Sequence, residues 1–313
     1  MKRVAVVLLF CALPARAWVR TKTNGTGLCV WWQSRGHGFQ IDSQGTPDAP
    51  TADTFAAIRS SLATWAAVSC TDLAFPEESL STSAQNRLVG YFQGSTNHNL
   101  VLWRTRACRD VVPANDPCLT QGGCSNAYDC WDDSHGDSVI ATTTTTANRL
   151  TGQILDTDIE LNDAPSSAGT KFTFSVVDVL PCPTASGTGC IDVQNTVTHE
   201  AGHTLGLDHS LDPNATMYAN APPGETSKRR LGTDDIAGIC AIYPKGQPTV
   251  TCLAPESSSG CGCSQAQTGP GAALGALALL LQIRRRSRRR PQLAISARTK
   301  PATAIRFQSG SEN

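Results

Sequence analysis

His199-Glu200-Ala201-Gly202-His203-Thr204-Leu205-Gly206-Leu207-Asp208-His209 is the stretch that the rest of this chain serves. On a helix His199 and His203 stand four positions apart, so both imidazoles leave one face about a turn apart and can grip a single metal ion. Glu200 then lies beside that ion. Gly206 can take a positive φ, which lets the helix stop and the chain swing back to deliver His209 as a third ligand. Three neutral imidazoles leave the fourth position of a tetrahedral zinc ion open to water, the arrangement of a catalytic site; a structural zinc would be closed by cysteines.

Met217 lies eight residues beyond His209, Ser210 directly follows that histidine, and Tyr218 follows the methionine. The pattern HExxHxxGxxH with this downstream methionine resembles the metzincin metallopeptidases, and His209-Ser210 with Met217-Tyr218 resembles the matrixin branch, the family of the matrix metalloproteinases. The resemblance implies an α+β fold of the metzincin (zincin-like) class: a twisted, mostly parallel sheet of about five strands with three helices, the active-site helix carrying the motif. It implies one catalytic Zn2+ on His199, His203 and His209, Glu200 as the catalytic base, and Met217 as a structural floor beneath the metal. It also implies a substrate pocket for the side chain after the scissile bond, walled by Tyr218, Ala219 and Asn220 with Thr198 nearby.

The chain has 313 residues, 40% of them apolar and 17% charged, enough to bury a globular core. Its formal net charge of zero hides a segregation. Of the 26 basic residues, three fall in residues 1–17 and nine in 264–313, which also hold one of the 26 acidic residues; the body between carries 14 basic and 25 acidic groups. An acidic body argues against a nucleic-acid partner and is compatible with bound Ca2+.

Residues 1–17 read as a secretory signal: Lys2 and Arg3, an apolar run from Val4 to Leu13, and Ala15-Arg16-Ala17 as the cleavage site. Beyond the signal and outside the tail remain ten cysteines, an even number that in an exported chain suggests disulfides. Cys182 and Cys190 can close a local loop, Cys108 to Cys130 reads as a stapled insertion, and Cys29 is expected in a disulfide with Cys70 as a candidate partner.

Residues 18–247 form the candidate catalytic domain. Leu28 to Ile41 reads as a strand broken at Gly36 and Gly38, and Asp53 or Thr54 can cap a helix running to about Val68 with Trp65 on its buried face. Leu88 to Phe92, Asn99 to Trp103, Val139 to Thr146 and Ile154 to Leu161 are strand candidates, the last alternating as a half-buried strand. Residues 104–137, with four cysteines and the cluster Asp129, Asp132, Asp133 and Asp137, form a disulfide-tied insertion whose acidic side chains read as solvated. Asp192 suits the N-cap of the motif helix, and Leu231 to Tyr243 resembles the closing matrixin helix, begun by Asp234 or Asp235. In many animal matrixins a second, structural zinc uses a His-x-Asp element and later histidines. Here His135-Gly136-Asp137 matches only the first part, so no complete second site is expected and His37, His98 and His135 read as ordinary residues.

Residues 248–265 read as a linker, 266–290 as an apolar span followed by six arginines, and 291–313 as a polar extension. Cys261 or Cys263, the span and the arginines resemble a MYXO-CTERM sorting tail, which implies attachment to the membrane or cell surface. The expected protein is therefore an exported or surface-anchored monomeric zinc endopeptidase acting on proteins or peptides. The competing reading is a non-catalytic adhesin or peptide-binding module on the same scaffold; an intact Glu200 weighs against it.

Overall fold

The computed structural model describes residues 17–79, 87–176, 190–252 and 303–306. The signal stretch up to residue 16, Cys182, most of the linker, the apolar span with its arginine cluster, and Cys261 and Cys263 lie outside these residues. No helix among the described residues is long and apolar enough to cross a membrane. In chain order the strands are β1 (Val19–Arg20), β2 (Phe39–Ile41), β3 (Asn99–Arg104), β4 (Ala141–Ala147), β5 (Ile154–Asn162), β6 (Thr173–Ser175), β7 (Cys190–Asp192), β8 (Leu207–Asp208) and β9 (Thr303–Arg306). The helices are α1 (Thr51–Ala66), the short α2 (Cys108–Val111), α3 (Cys118–Gln121) and α4 (Cys124–Tyr128), then α5 (Val193–Thr204) and α6 (Thr233–Ile242).

The five-threonine run becomes β4 because β-branched side chains fit a pleated strand better than a helix. The main sheet runs β2-β3-β5-β4-β9. Its β2/β3 and β3/β5 pairs are parallel and its β5/β4 and β4/β9 pairs antiparallel, so the sheet is mixed where a mostly parallel one was expected. One face carries the core, in which α1 and α5 pack together and Ile58, Trp65, Trp103, Ile159 and Val197 are fully or almost fully buried.

The opposite face explains why β5 is buried almost throughout instead of half-buried. Asp156, Asp158 and Glu160 point there and are roofed over. Residues 88–92 were expected to form a strand and do not, because their backbone donors go to side chains: Val89 N–H to Asn126 Oδ1 at 2.9 Å and Gly90 N–H to Asp158 Oδ2 at 2.6 Å. Arg87 and Arg104, both buried, pin this roof. Arg87 bonds Asp42 and Asp129, while Arg104 bonds Asp129 at 2.7 Å and Glu160 at 2.7 Å. The rest of the acidic cluster is engaged too: Asp132 accepts from Ser134 N–H, Asp133 pairs with Arg109, and Asp137 accepts from Ser167. These carboxylates are thus bound by arginines and backbone or hydroxyl donors instead of being merely solvated.

Disulfides Cys108–Cys130 and Cys118–Cys124 staple the insertion between β3 and β4. Cys29 pairs with Cys252, and Cys70 with Cys240, which corrects the expected Cys29–Cys70 link. Sequence proximity misled there: the chain ends of the domain meet in space, so each early cysteine finds a late one. Cys190 is also disulfide-bonded, and its expected partner, Cys182, is among the residues outside the description. Helix α1 begins at Thr51, behind Pro50, earlier than Asp53; a proline there forgoes no helical hydrogen bond, and Thr54 instead bonds inside the first turn to the Thr51 carbonyl.

Candidate metal centre

Asp192 closes β7 and opens α5: its Oδ1 accepts from Asn195 N–H at 2.7 Å, and Arg229 holds the same carboxylate. Once started, α5 buries all of Asn195 to His203, with His199, Glu200 and His203 fully enclosed. The helix ends at Gly206, whose φ of 87° only glycine adopts readily, and a Cβ there would stand 2.8 Å from the Val30 carbonyl oxygen. That turn leads through β8, which pairs with β1, to His209.

The three histidines converge. A ligating atom from each of His199, His203 and His209 lies within 4.8 Å of the other two, and the ring centroids are 4.9 to 5.3 Å apart. His199 Nδ1 lies 2.6 Å from the Thr216 carbonyl and His203 Nδ1 2.8 Å from the Leu207 carbonyl. A carbonyl only accepts, so both Nδ1 atoms carry the proton and each Nε2 keeps its lone pair for a ligand. His203 Nε2 is buried with no hydrogen-bond partner, and so is Glu200 Oε1. Burial pushes all three imidazole pKa values down, that of His203 to about 3, so the rings are neutral at pH 7 as metal binding requires. Burial raises Glu200 to about 8 in the absence of a cation, partly offset by a hydrogen bond from Thr143. A neutral three-imidazole set, with His203 Nε2 and Glu200 Oε1 unpartnered beside it, fits a zinc ion.

Met217 is buried beneath α5. A Cβ on Gly202 would meet its Sδ at 2.1 Å and Trp65 at 2.9 Å, so the methionine can pack there only because residue 202 is glycine. Trp65 also donates from Nε1 to the Thr198 carbonyl at 2.8 Å. Thr198 itself is buried, its hydroxyl turned back to the Gln194 carbonyl. Tyr218 and Ala219 are half-buried and Asn220 is exposed.

Three residues that bear on the site carried no signal strong enough to single them out. Thr143 on β4 donates to Glu200, but five adjacent threonines look alike until the strand's phase is known. Asp235 was expected only to start a helix; it does accept from Gly232 N–H, but also from the backbone of Thr216 and Met217. Lys228 lies buried in the 3-10 turn Ser227–Arg229, with Nζ donating to the Tyr218 and Asn220 carbonyls, and burial pulls its pKa down to about 8.

Residues 125–244 match the matrixin family model. The span contains β4, β5, α5, all three histidines, Met217 and α6. Among curated proteins the chain is 50% identical over 48 residues to matrilysin of Homo sapiens (15% of this chain, 18% of that one). It is 46% identical over 63 residues to neutrophil collagenase of Homo sapiens (20% and 14%) and 46% over 66 residues to metalloendoproteinase 1 of Glycine max (21% and 20%). The chain thus spans a fifth or less of the length of these relatives. The similarity to the matrixins is therefore carried by the segment that holds the three histidines, Met217 and α6.

Proposed function

We propose that this chain is an exported zinc endopeptidase with His199, His203 and His209 as metal ligands and Glu200 as general base. The observation that carries the reading is the convergence of three neutral imidazoles beside a buried carboxylate with one unpartnered oxygen, inside the segment that matches the matrixin model. A zinc ion held there supplies Lewis acidity toward a carbonyl and lowers the pKa of water. Glu200 takes the proton of the attacking water at Oε1 and later returns it to the leaving nitrogen, so the carboxylate ends each turnover as it began. Thr216 and Leu207 carbonyls hold the two helix histidines in the right tautomer, and Met217 fills the space beneath them. Tyr218, Ala219 and Asn220, with Thr198 behind, wall the pocket for the substrate side chain.

Extended protein or peptide is the proposed substrate. In support, the outer edge of β4 pairs antiparallel with Thr303–Arg306, the way an extended peptide would add to that edge. The disulfides are consistent with an oxidising compartment outside the cytoplasm; surface attachment through residues 266–290 and a monomeric state belong to the same proposal.

The test is zinc content together with cleavage of an unfolded protein by the purified chain, wild type beside Glu200→Ala. About one zinc in both and cleavage by the wild type alone is the expected result. Zinc in both without cleavage by either would leave a binding module instead of an enzyme.

A further inference from the structure

The Glu200 carboxylate is tied down by the sheet, not by its own helix. Thr143 Oγ1, in the middle of β4, lies 2.6 Å from Glu200 Oε2 and 3.2 Å from the Glu200 carbonyl oxygen. Both residues are completely buried. With Glu200 ionised, as a general base must be, its carboxylate and its carbonyl can only accept, so the hydroxyl hydrogen belongs to Thr143 and its acceptor is Glu200. The second carboxylate oxygen, Oε1, has no hydrogen-bond partner. The two oxygens of the base are therefore unequal: one is occupied by the sheet and the other is open.

We infer that Thr143 is a positioning residue for Glu200, fixing its carboxylate so that Oε1 alone handles the proton; this rests on the proposed peptidase reading. A general base that first takes a proton and then delivers it to a different atom must not turn over between the two steps. With Oε2 already accepting from Thr143, an incoming proton goes to Oε1, the hydroxyl keeps its own hydrogen, and the same oxygen releases the proton to the leaving nitrogen. The sheet register makes the contact possible. Thr143 pairs with Ile159 of β5, a core residue, and so shares the face that packs on α5, whereas Thr142 and Thr144 alternate to the other face. Of the five threonines only this one bonds the base.

The fold gives Thr143 no reason to be polar other than Glu200: it is a fully buried hydroxyl opposite Ile159 of β5, where valine would fill the same volume. Removing a group that orients a reacting or ligating side chain costs about 10- to 100-fold in activity, so this is the scale expected here.

Two measurements on the full secreted chain test the inference. In the first, Thr143→Val is expected to lower kcat by about 10- to 100-fold with KM and zinc content unchanged, and Thr143→Ser to restore kcat to within roughly threefold of wild type. Equal losses in Val and Ser, or a kcat for Val within about twofold of wild type, would overturn it. The second needs no activity: a thermal-stability cycle of Thr143→Val, Glu200→Ala and the double variant. Thr143→Val is expected to lower Tm by several degrees when Glu200 is present and by about a degree or less in the Glu200→Ala background, where no carboxylate remains to accept the bond. Additive shifts would overturn the contact even in a chain that cleaves nothing, whereas coupling in a chain without activity would leave Thr143 in place and sink only the peptidase reading.

Discussion

Asp235 holds Met217 in place. Its carboxylate accepts from Met217 N–H at 3.0 Å and from Thr216 N–H at 2.6 Å while also accepting from Gly232 N–H at 2.8 Å, so one buried side chain caps α6 and fixes the turn under the histidines. Thr216 in turn offers its carbonyl to His199 Nδ1. Asp235→Ala orphans three backbone donors, each worth about 1–3 kcal/mol when buried. The expected outcome is a loss of several kcal/mol in urea unfolding and a zinc affinity lowered roughly 10-fold or more, because His199 loses its orienting partner. Zinc affinity unchanged in a folded variant would show that the turn does not need Asp235 to hold His199.

Glu200→Gln keeps the size of the side chain and an acceptor for Thr143 but cannot take a proton. Cleavage is expected to fall by about 100- to 10,000-fold with zinc content at the wild-type level. A variant retaining a tenth of the activity would mean that the proton goes elsewhere.

How much of this was visible in the residues follows from the range of the interactions involved. The motif helix, its Asp192 cap and the turn at Gly206 are local, set by residues within a few positions of one another, and they read directly from the sequence. The roof over β5 is not local: Arg87 and Arg104 meet Asp129, and Gly90 meets Asp158 across 68 residues, so no periodicity along Leu88 to Phe92 could reveal that their backbone is spent on side chains. The Cys29–Cys252 and Cys70–Cys240 links fail for the same reason, being closed by tertiary folding over 223 and 170 residues. At the site, the three converging histidines were legible because a metal-binding set demands a fixed spacing, while Thr143 and Lys228 were not, because a supporting contact can come from any element that passes close.

Cys70–Cys240 fastens the chain just after α1 to α6, and neither helix carries one of the three histidines. Because Cys29–Cys252 already closes the outer loop, replacing both Cys70 and Cys240 with alanine is expected to cost about 3–4 kcal/mol instead of the larger figure for an otherwise open loop of that length. The zinc content should be unchanged at 25 °C, with the loss appearing in the urea midpoint. Loss of zinc from folded protein would show that α6 needs the link to hold Asp235 and the methionine turn.

His37 should make the fold sensitive to acid independently of the metal site. It is buried with neither ring nitrogen hydrogen-bonded, lies 4.6 Å from the Trp32 ring and 5.9 Å from Phe75, and sits beside a cavity of about 20 Å³. Burial, helped by the nearby Arg35, lowers its pKa from 6.5 to about 4. Since the folded value is below the unfolded one, the folded state is favoured above pH 6.5 and loses that advantage as the pH falls toward 4. Integrated to pH 5, the penalty is about 2 kcal/mol. His37→Phe removes the titration and can use the small cavity, so its Tm advantage over wild type is expected to be larger at pH 5 than at pH 7.5, measured on zinc-free protein so that the ligand histidines contribute equally to both. A difference in Tm that is the same at both pH values would mean that His37 either stays neutral in the unfolded chain or is protonated in the folded one.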